Sequence, residues 1–342
     1  MLNNDTTMNE KQPIDRLRES SGHADIGSEE DGAIIQMKNI GGRLLIIKEK
    51  AIYEMLMADQ IDPERTNINL PTSIHKLIID KGTESETVSR TLLTGMALFK
   101  PEYFSNNLDC EILIGLTIDL LSEISILEKE IYDYQLAEKS SSDEYEERKT
   151  QKVSYKLPSV VSLESKCKTI FQKADHVEQI LMDIIIKFYP NLGLTKQSHF
   201  PYFQEKLKEK YGESDPFVEF IKGTVYFMQV IRELRNGFDH RLEHTKVYDF
   251  DLQTDGNIIA PTIELKHKKI QMNKTSLSDF LNITNKNMLD IIELTFAYLA
   301  GKNVKIDGMP YQVKQIPADK RRYKFVRYSF WMPIGNEGFY CQ

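Results

Sequence analysis

A chain of 342 residues can bury one large core or two modest ones. Its hydrophobic fraction of 41% and charged fraction of 28% are ordinary for a globular protein, and no apolar run reaches the roughly 18 residues that span a bilayer, so no membrane association is expected. A net charge of −7 argues against a uniformly basic nucleic-acid binder, although local charge decides polyanion binding more than the sum does.

Residues 1–34 carry eight acidic side chains against three basic ones. Residues 1–32 are also poor in large apolar groups, which predicts a disordered acidic tail in which only the cluster Asp15–Glu19 has a transient helical tendency. The tail has no apolar core of the signal-peptide kind, which points to a cytoplasmic protein. Residues 33–105 are expected to form a mainly helical lead-in subdomain. Residues 43–61 mix apolar and charged groups at near-helical spacing, and Thr83-x-x-Glu86 reads as a capping box opening a helix to Phe99.

Residues 106–301 hold four long amphipathic patterns. The first, 106–136, carries Ile112, Leu116, Leu120, Ile124, Leu127, Ile131 and Tyr134 at spacings of three and four. The serine-rich charged stretch 138–149 after it reads as an exposed connection. The second, 159–189, aligns Leu163, Cys167, Ile170, Phe171, Val177, Leu181, Ile184 and Phe188, and Pro190 closes it. A shorter helix is predicted over 202–211. The third opens with Asp215 as N-cap and Pro216 in the first turn. It runs through Phe217, Ile221, Val225, Met228, Ile231 and Leu234 into Arg235, with Gly237 where the helix is expected to loosen. A hairpin over 247–272 turns at Thr254-Asp-Gly-Asn257. The fourth helix spans 276–299, with Gly301 just beyond its end. Residues 302–342 form a basic-aromatic extension; 311–331 carry six basic side chains against one acidic and are expected to be extended. The predicted fold class is mainly α: a helical bundle of four long helices with an inserted β-hairpin and a short C-terminal extended segment.

The chemistry-bearing stretch is Arg235-Asn236-Gly-Phe-Asp-His240. Metal-independent cleavage of RNA needs a base for the 2′-hydroxyl proton, an acid for the leaving 5′-oxygen and positive charge on the phosphorane. Histidine suits proton transfer near neutral pH. Arginine matches two phosphate oxygens with a fork that stays charged, and asparagine can orient either partner through its amide. In an unbroken helix Asn236 and His240 share a face, whereas Arg235 and His240 lie about 140° apart. A bend near Gly237 is therefore expected, and a homodimer would supply a second histidine for the second proton transfer.

At these residues the chain resembles the HEPN superfamily, helical-bundle proteins with an Arg-Asn-x-x-x-His motif at the end of a long helix. The resemblance covers roughly 106–301. It implies a dimeric, metal- and cofactor-free endoribonuclease of the toxin or anti-phage defence type, catalytic through Arg235, Asn236 and His240, with RNA as substrate and room for a neutralising or regulatory protein partner. Arg241, His244, Arg321, Arg322, Lys324 and Arg327 are the expected RNA contacts, the last four in a run that alternates phosphate charges with stacking faces.

Four blander or rival readings compete. Arg235 and Asp239 form an i, i+4 pair suited to a surface salt bridge, and His240 could simply favour the helix C-terminus. The basic run could be an edge strand whose charges discourage aggregation. His240-Arg-Leu-Glu243-His244 matches an H-x-x-E-H zinc-hydrolase signature, which needs an unbroken helix through 244. A non-catalytic interaction module remains the third class of function. His23, His75, His176, His199 and His267 have no partner at local spacing and are assigned no role. Cys110, Cys167 and Cys341 are too dispersed for a disulfide framework or thiolate zinc site and are expected as free thiols.

Overall fold

The computed structural model describes residues 11–20, 24–105, 108–149, 156–305, 309–334 and 338–342. The chain divides into two compact units, one reaching to Val88 and one spanning Ser89–Gln342. Its architecture is mixed α/β, which overturns the predicted bundle of four long helices with one hairpin: among the described residues, strands build four antiparallel sheets.

The first unit carries the largest correction. Helix α1 (Pro13–Arg18) precedes strands β1 (Ile34–Ile40), β2 (Arg43–Lys48), β3 (Ile52–Met57) and β4 (Ser73–Ile79), with short helices α2 (Ala58–Ile61) and α3 (Glu86–Val88). The strands form an antiparallel meander in the order β1-β2-β3-β4, so residues 33–105 are not mainly helical. In β2, Leu45, Ile46 and Ile47 are all fully buried. Both faces of that strand are covered, which removes the alternation by which strands are normally recognised. The described part of the acidic segment is ordered as well. Asp15 of α1 accepts from Arg65 at 2.7 Å, and the buried Arg18 guanidinium lies 3.2 Å from Asp62. His23 lies outside the described residues.

The second unit opens with a π-helical turn (Ser89–Leu93) and α4 (Thr94–Leu98), close to the predicted end at Phe99. Helix α5 (Cys110–Lys149) continues through the stretch expected as a connection. There Glu144 and Arg148 pair at i, i+4, and the buried Tyr145 donates its hydroxyl to the Gly256 carbonyl at 3.0 Å. Helix α6 (Leu163–Phe188) packs against α5, α8 (Pro216–His240) and α9 (Leu277–Asn303), while α7 (Phe200–Tyr211) packs against α8. The α6 face fills with Leu163, Cys167, Ile170, Phe171, Val177 and Leu181 as its spacing predicts; each fully buried large apolar side chain contributes about 1.5–3 kcal/mol. Asp215 caps α8 by accepting from the Phe217 amide at 2.9 Å, and Ser276 caps α9 by accepting from Asp279. Helix α9 runs past Gly301 to Asn303. No described helix is long and apolar enough to cross a membrane.

Between α8 and α9 the predicted hairpin is two sheets. Strands β5 (Thr245–Tyr248), β8 (Thr262–Lys266) and β9 (Gln271–Ser276) form one, in the order β5-β8-β9. The ribbon β6 (Asp251–Leu252) and β7 (Ile258–Ile259) closes over the predicted turn, with Gly256 at φ 83°. At the C-terminus β10 (Gln312–Gln315), β11 (Tyr328–Met332) and β12 (Phe339–Tyr340) form a three-stranded sheet. The basic run 320–327 is mostly the connection between β10 and β11, not one extended or edge strand.

Candidate functional site

Helix α8 does not bend at Gly237; it continues to His240. Gly237 serves close approach instead. A Cβ there would fall 1.9 Å from Thr245 Oγ1, so only glycine lets β5 lie against the last turn of α8. The helix stops one residue after His240, where Arg241 takes the left-handed conformation (φ 53°) and the Leu242 amide donates back to the Gly237 carbonyl at 2.9 Å. Phe238 stacks on Phe171 of α6 with ring centroids 5.7 Å apart, which anchors the motif turn to the core.

Because the helix is unbroken, Arg235 and His240 face different ways. The Arg235 side chain, 33% exposed, sits in a carboxylate frame: its Nε lies 3.0 Å from Asp239 and 3.6 Å from Asp175, and its Nη1 donates to Asn236 Oδ1 at 2.9 Å. Asp239 is held in turn by Gln172 at 2.7 Å and Lys168 at 3.3 Å. Asp175 is buried on α6 and accepts from Gln179 at 2.7 Å. His240 is exposed, and no hydrogen bond or ion pair engages it among the described residues.

Two cavities flank this turn. One of about 860 Å³ lies on the side of Asp239, Arg241, Glu243 and Lys246; the other, about 280 Å³, is lined by Arg235 and Asn236 together with Arg232, Lys196 and His199. His240 lines neither. Arginine and asparagine of the motif are therefore brought together, and its histidine stands apart from them.

His199 is the residue local spacing missed. It immediately precedes α7, and its Nδ1 lies 3.4 Å from Glu178, whose side chain is 1% exposed. The pairing joins two elements 21 positions apart, so no short motif could reveal it. A signal did exist: Asp175 and Glu178, at i, i+3, interrupt the apolar face of α6, and buried carboxylates require partners.

The zinc reading fails on geometry. Residues 241–244 form a turn, so His240 and His244 do not share a helical face. The His244 ring packs 5.0 Å from that of His267, and its Nε2 is buried without a hydrogen-bond partner. Among the described residues no group of three His, Cys, Asp or Glu side chains is placed to hold a metal ion. The three cysteines are free, and burial pushes the Cys167 thiol up to about 12, which makes it a poor nucleophile.

Of the basic extension, Arg327 is committed to Glu293 and Asp290 of α9, with Nε 2.9 Å from Glu293 Oε1. Arg321 donates to the Ile316 carbonyl at 3.0 Å and the Lys324 carbonyl at 3.3 Å. Arg322 and Lys324 are exposed beside Tyr323 and Phe325. Comparison with protein-family models, with curated proteins and with solved structures finds no match to this chain.

Proposed function

We propose that the protein is a cytoplasmic, metal-independent endoribonuclease that works as a homodimer through Arg235, Asn236 and His240. In the reaction the RNA 2′-oxygen bonds to the adjacent phosphorus as the P–O5′ bond breaks. One proton leaves the 2′-hydroxyl, one reaches the 5′-oxygen, and the products are a 2′,3′-cyclic phosphate and a 5′-hydroxyl. Arg235 and Asn236 hold the phosphate; His240 moves a proton.

The single observation that carries this reading is the disposition of the motif on an unbroken helix. Arg235 and Asn236 line a cleft, while His240 is exposed one turn beyond Asn236, with no partner among the described residues. A surface histidine that stands apart from its own arginine–asparagine pair is suited to complete the cleft of a second copy, which also doubles the histidines available. The resemblance of the motif adds a toxin or phage-defence role with a neutralising protein partner.

The Arg235–Asp239 pair is the observation that favours a non-catalytic helical module. Incubating the purified chain with total RNA in excess EDTA separates the two. The ribonuclease reading expects fragments with cyclic-phosphate or 3′-phosphate ends, and intact RNA would sink it.

A further inference from the structure

The 280 Å³ cleft contains more than the motif asks of it. At about 280 Å³ the space is many times the roughly 10–15 Å³ that holds one water, which leaves room for a phosphate group and part of its ester. Three cations line it: Lys196, Arg232 and Arg235. Its one carboxylate, Asp175, is engaged by Gln179 at 2.7 Å and lies 3.6 Å from Arg235. Lys196 and Arg232, by contrast, make no hydrogen bond or ion pair among the described residues. Positive charge left unneutralised in a concave site selects an anion.

His199 lines the same cleft, and its buried Nδ1 lies 3.4 Å from Glu178 Oε1, an ion-pair distance at which no hydrogen bond forms among the described residues. The second oxygen of that carboxylate, Oε2, is buried with no hydrogen-bond partner among the described residues. Sealing a carboxylate this way is costly unless positive charge forms beside it. A carboxylate beside Nδ1 attracts the ring proton to that nitrogen by charge, which leaves Nε2 as the acceptor.

We propose that this cleft binds a phosphate ester, clamped by Lys196, Arg232 and Arg235, and that His199 Nε2 is the base that receives the proton of the attacking 2′-hydroxyl. The catalytic half rests on the ribonuclease reading above; the anion site does not. His199 takes the 2′-hydroxyl proton as the P–O2′ bond forms, and His240 protonates the 5′-oxygen as the P–O5′ bond breaks. Glu178 is a positioning residue, acting only through the His199 ring.

Histidine ring proton resonances test the site on the full chain, with His199 assigned by its disappearance in His199→Gln. Inorganic phosphate and an uncleavable 2′-O-methyl RNA tetranucleotide serve as probes. The His199 signal should shift saturably with both, at lower concentration with the tetranucleotide. The shift should vanish in a Lys196→Gln/Arg232→Gln double variant with an unchanged melting curve. No shift, or one that survives the double variant, overturns the anion site. In RNA cleavage His199→Gln should lower kcat about 10²–10⁴-fold with KM within a few-fold. Glu178→Gln should lower kcat less than His199→Gln and move the acid limb of the pH profile to lower pH, whereas a purely structural role would leave that limb in place. Wild-type cleavage by His199→Gln overturns the base assignment and leaves the ribonuclease reading standing. Saturable binding at His199 without RNA cleavage by the wild type overturns the catalytic step and the ribonuclease reading together, and supports the anion site alone.

Discussion

Two clusters in the 89–342 unit use arginine and carboxylate to opposite ends. At α9, Arg90 and Arg327 converge on Asp290 and Glu293; the Glu293 side chain is fully buried and that of Arg90 nearly so. Each guanidinium has carboxylate partners on hand, and the cluster joins the π-helical turn and the β10–β11 connection to one helix. At the end of α8, Arg235 is also framed by carboxylates, but among the described residues Arg232 and Lys196 beside it are not, and His240 has no partner. The first cluster is closed and holds the fold; the second is open and asks for a ligand. Formal charge does not separate them, since the basic run around Arg327 is the richer in cations. Satisfaction of the charges does.

The sharpest way to break this contrast lies in the composite site. Arg235→Ala and His240→Ala should each lose about 10²–10⁴-fold in RNA cleavage while remaining folded. Arg235→Lys should recover little, because a point charge lacks the bidentate fork. Mixed in equal amounts and allowed to exchange, the two alanine variants should regain roughly a quarter of wild-type activity, since half the dimers carry one intact composite site of two. Mixing that restores nothing, with exchange verified by mass, would show that each chain acts alone.

The closed cluster should fail in stability instead. Arg327→Ala leaves Glu293 buried with Arg90 alone and should cost about 1–3 kcal/mol by denaturant titration, with cleavage per folded molecule unchanged. Burial pushes the Asp290 carboxyl up, but hydrogen bonds from Arg90 and Arg327 outweigh it and hold the group below its usual range. A lowered carboxyl contributes stability above its unfolded value of about 3.9, and loses it as pH falls through the folded value. Melting temperature should therefore drop below about pH 4, and less so in Asp290→Asn.

The smallest effect belongs to the exposed part of the basic extension. If Arg322 and Lys324 meet phosphates, each alanine substitution should reduce the slope of log affinity against log salt for an RNA oligonucleotide by about one. Arg321, whose guanidinium is occupied by two carbonyls, should change that slope less. Equal slopes for all three variants would remove the extension from the RNA-contacting surface.

How much of this was readable in advance depends on where each signal resides. Helices α6, α8 and α9 are legible because one buried face repeats at helical spacing, and α8 also because Asp215 caps it where its residue type predicts. The β1–β4 sheet is not. Leu44 to Ile47 is a short apolar run, covered on both faces from Leu45 onward, and such a run fits strand or helix equally. The charged stretch 138–149 lacks a helical signature because only Tyr145 in it faces the core. Arg235, Asn236 and His240 are legible as local spacing, whereas Gly237 admits Thr245 and does not end the helix as its position suggests. The His199–Glu178 pair was illegible because its halves come from different elements and meet only in the fold.

The central claim is that His240 transfers a proton, and it is tested most directly beside its neighbour His244, whose ring packs against His267. Cleavage rates of His240→Ala and His244→Ala should be measured in EDTA, alongside melting curves for both. The account predicts a loss of about 10²–10⁴-fold for His240→Ala with folding intact, and a rate within a few-fold of wild type per folded molecule for His244→Ala. Equal loss at the two positions, or full activity in His240→Ala, would contradict it.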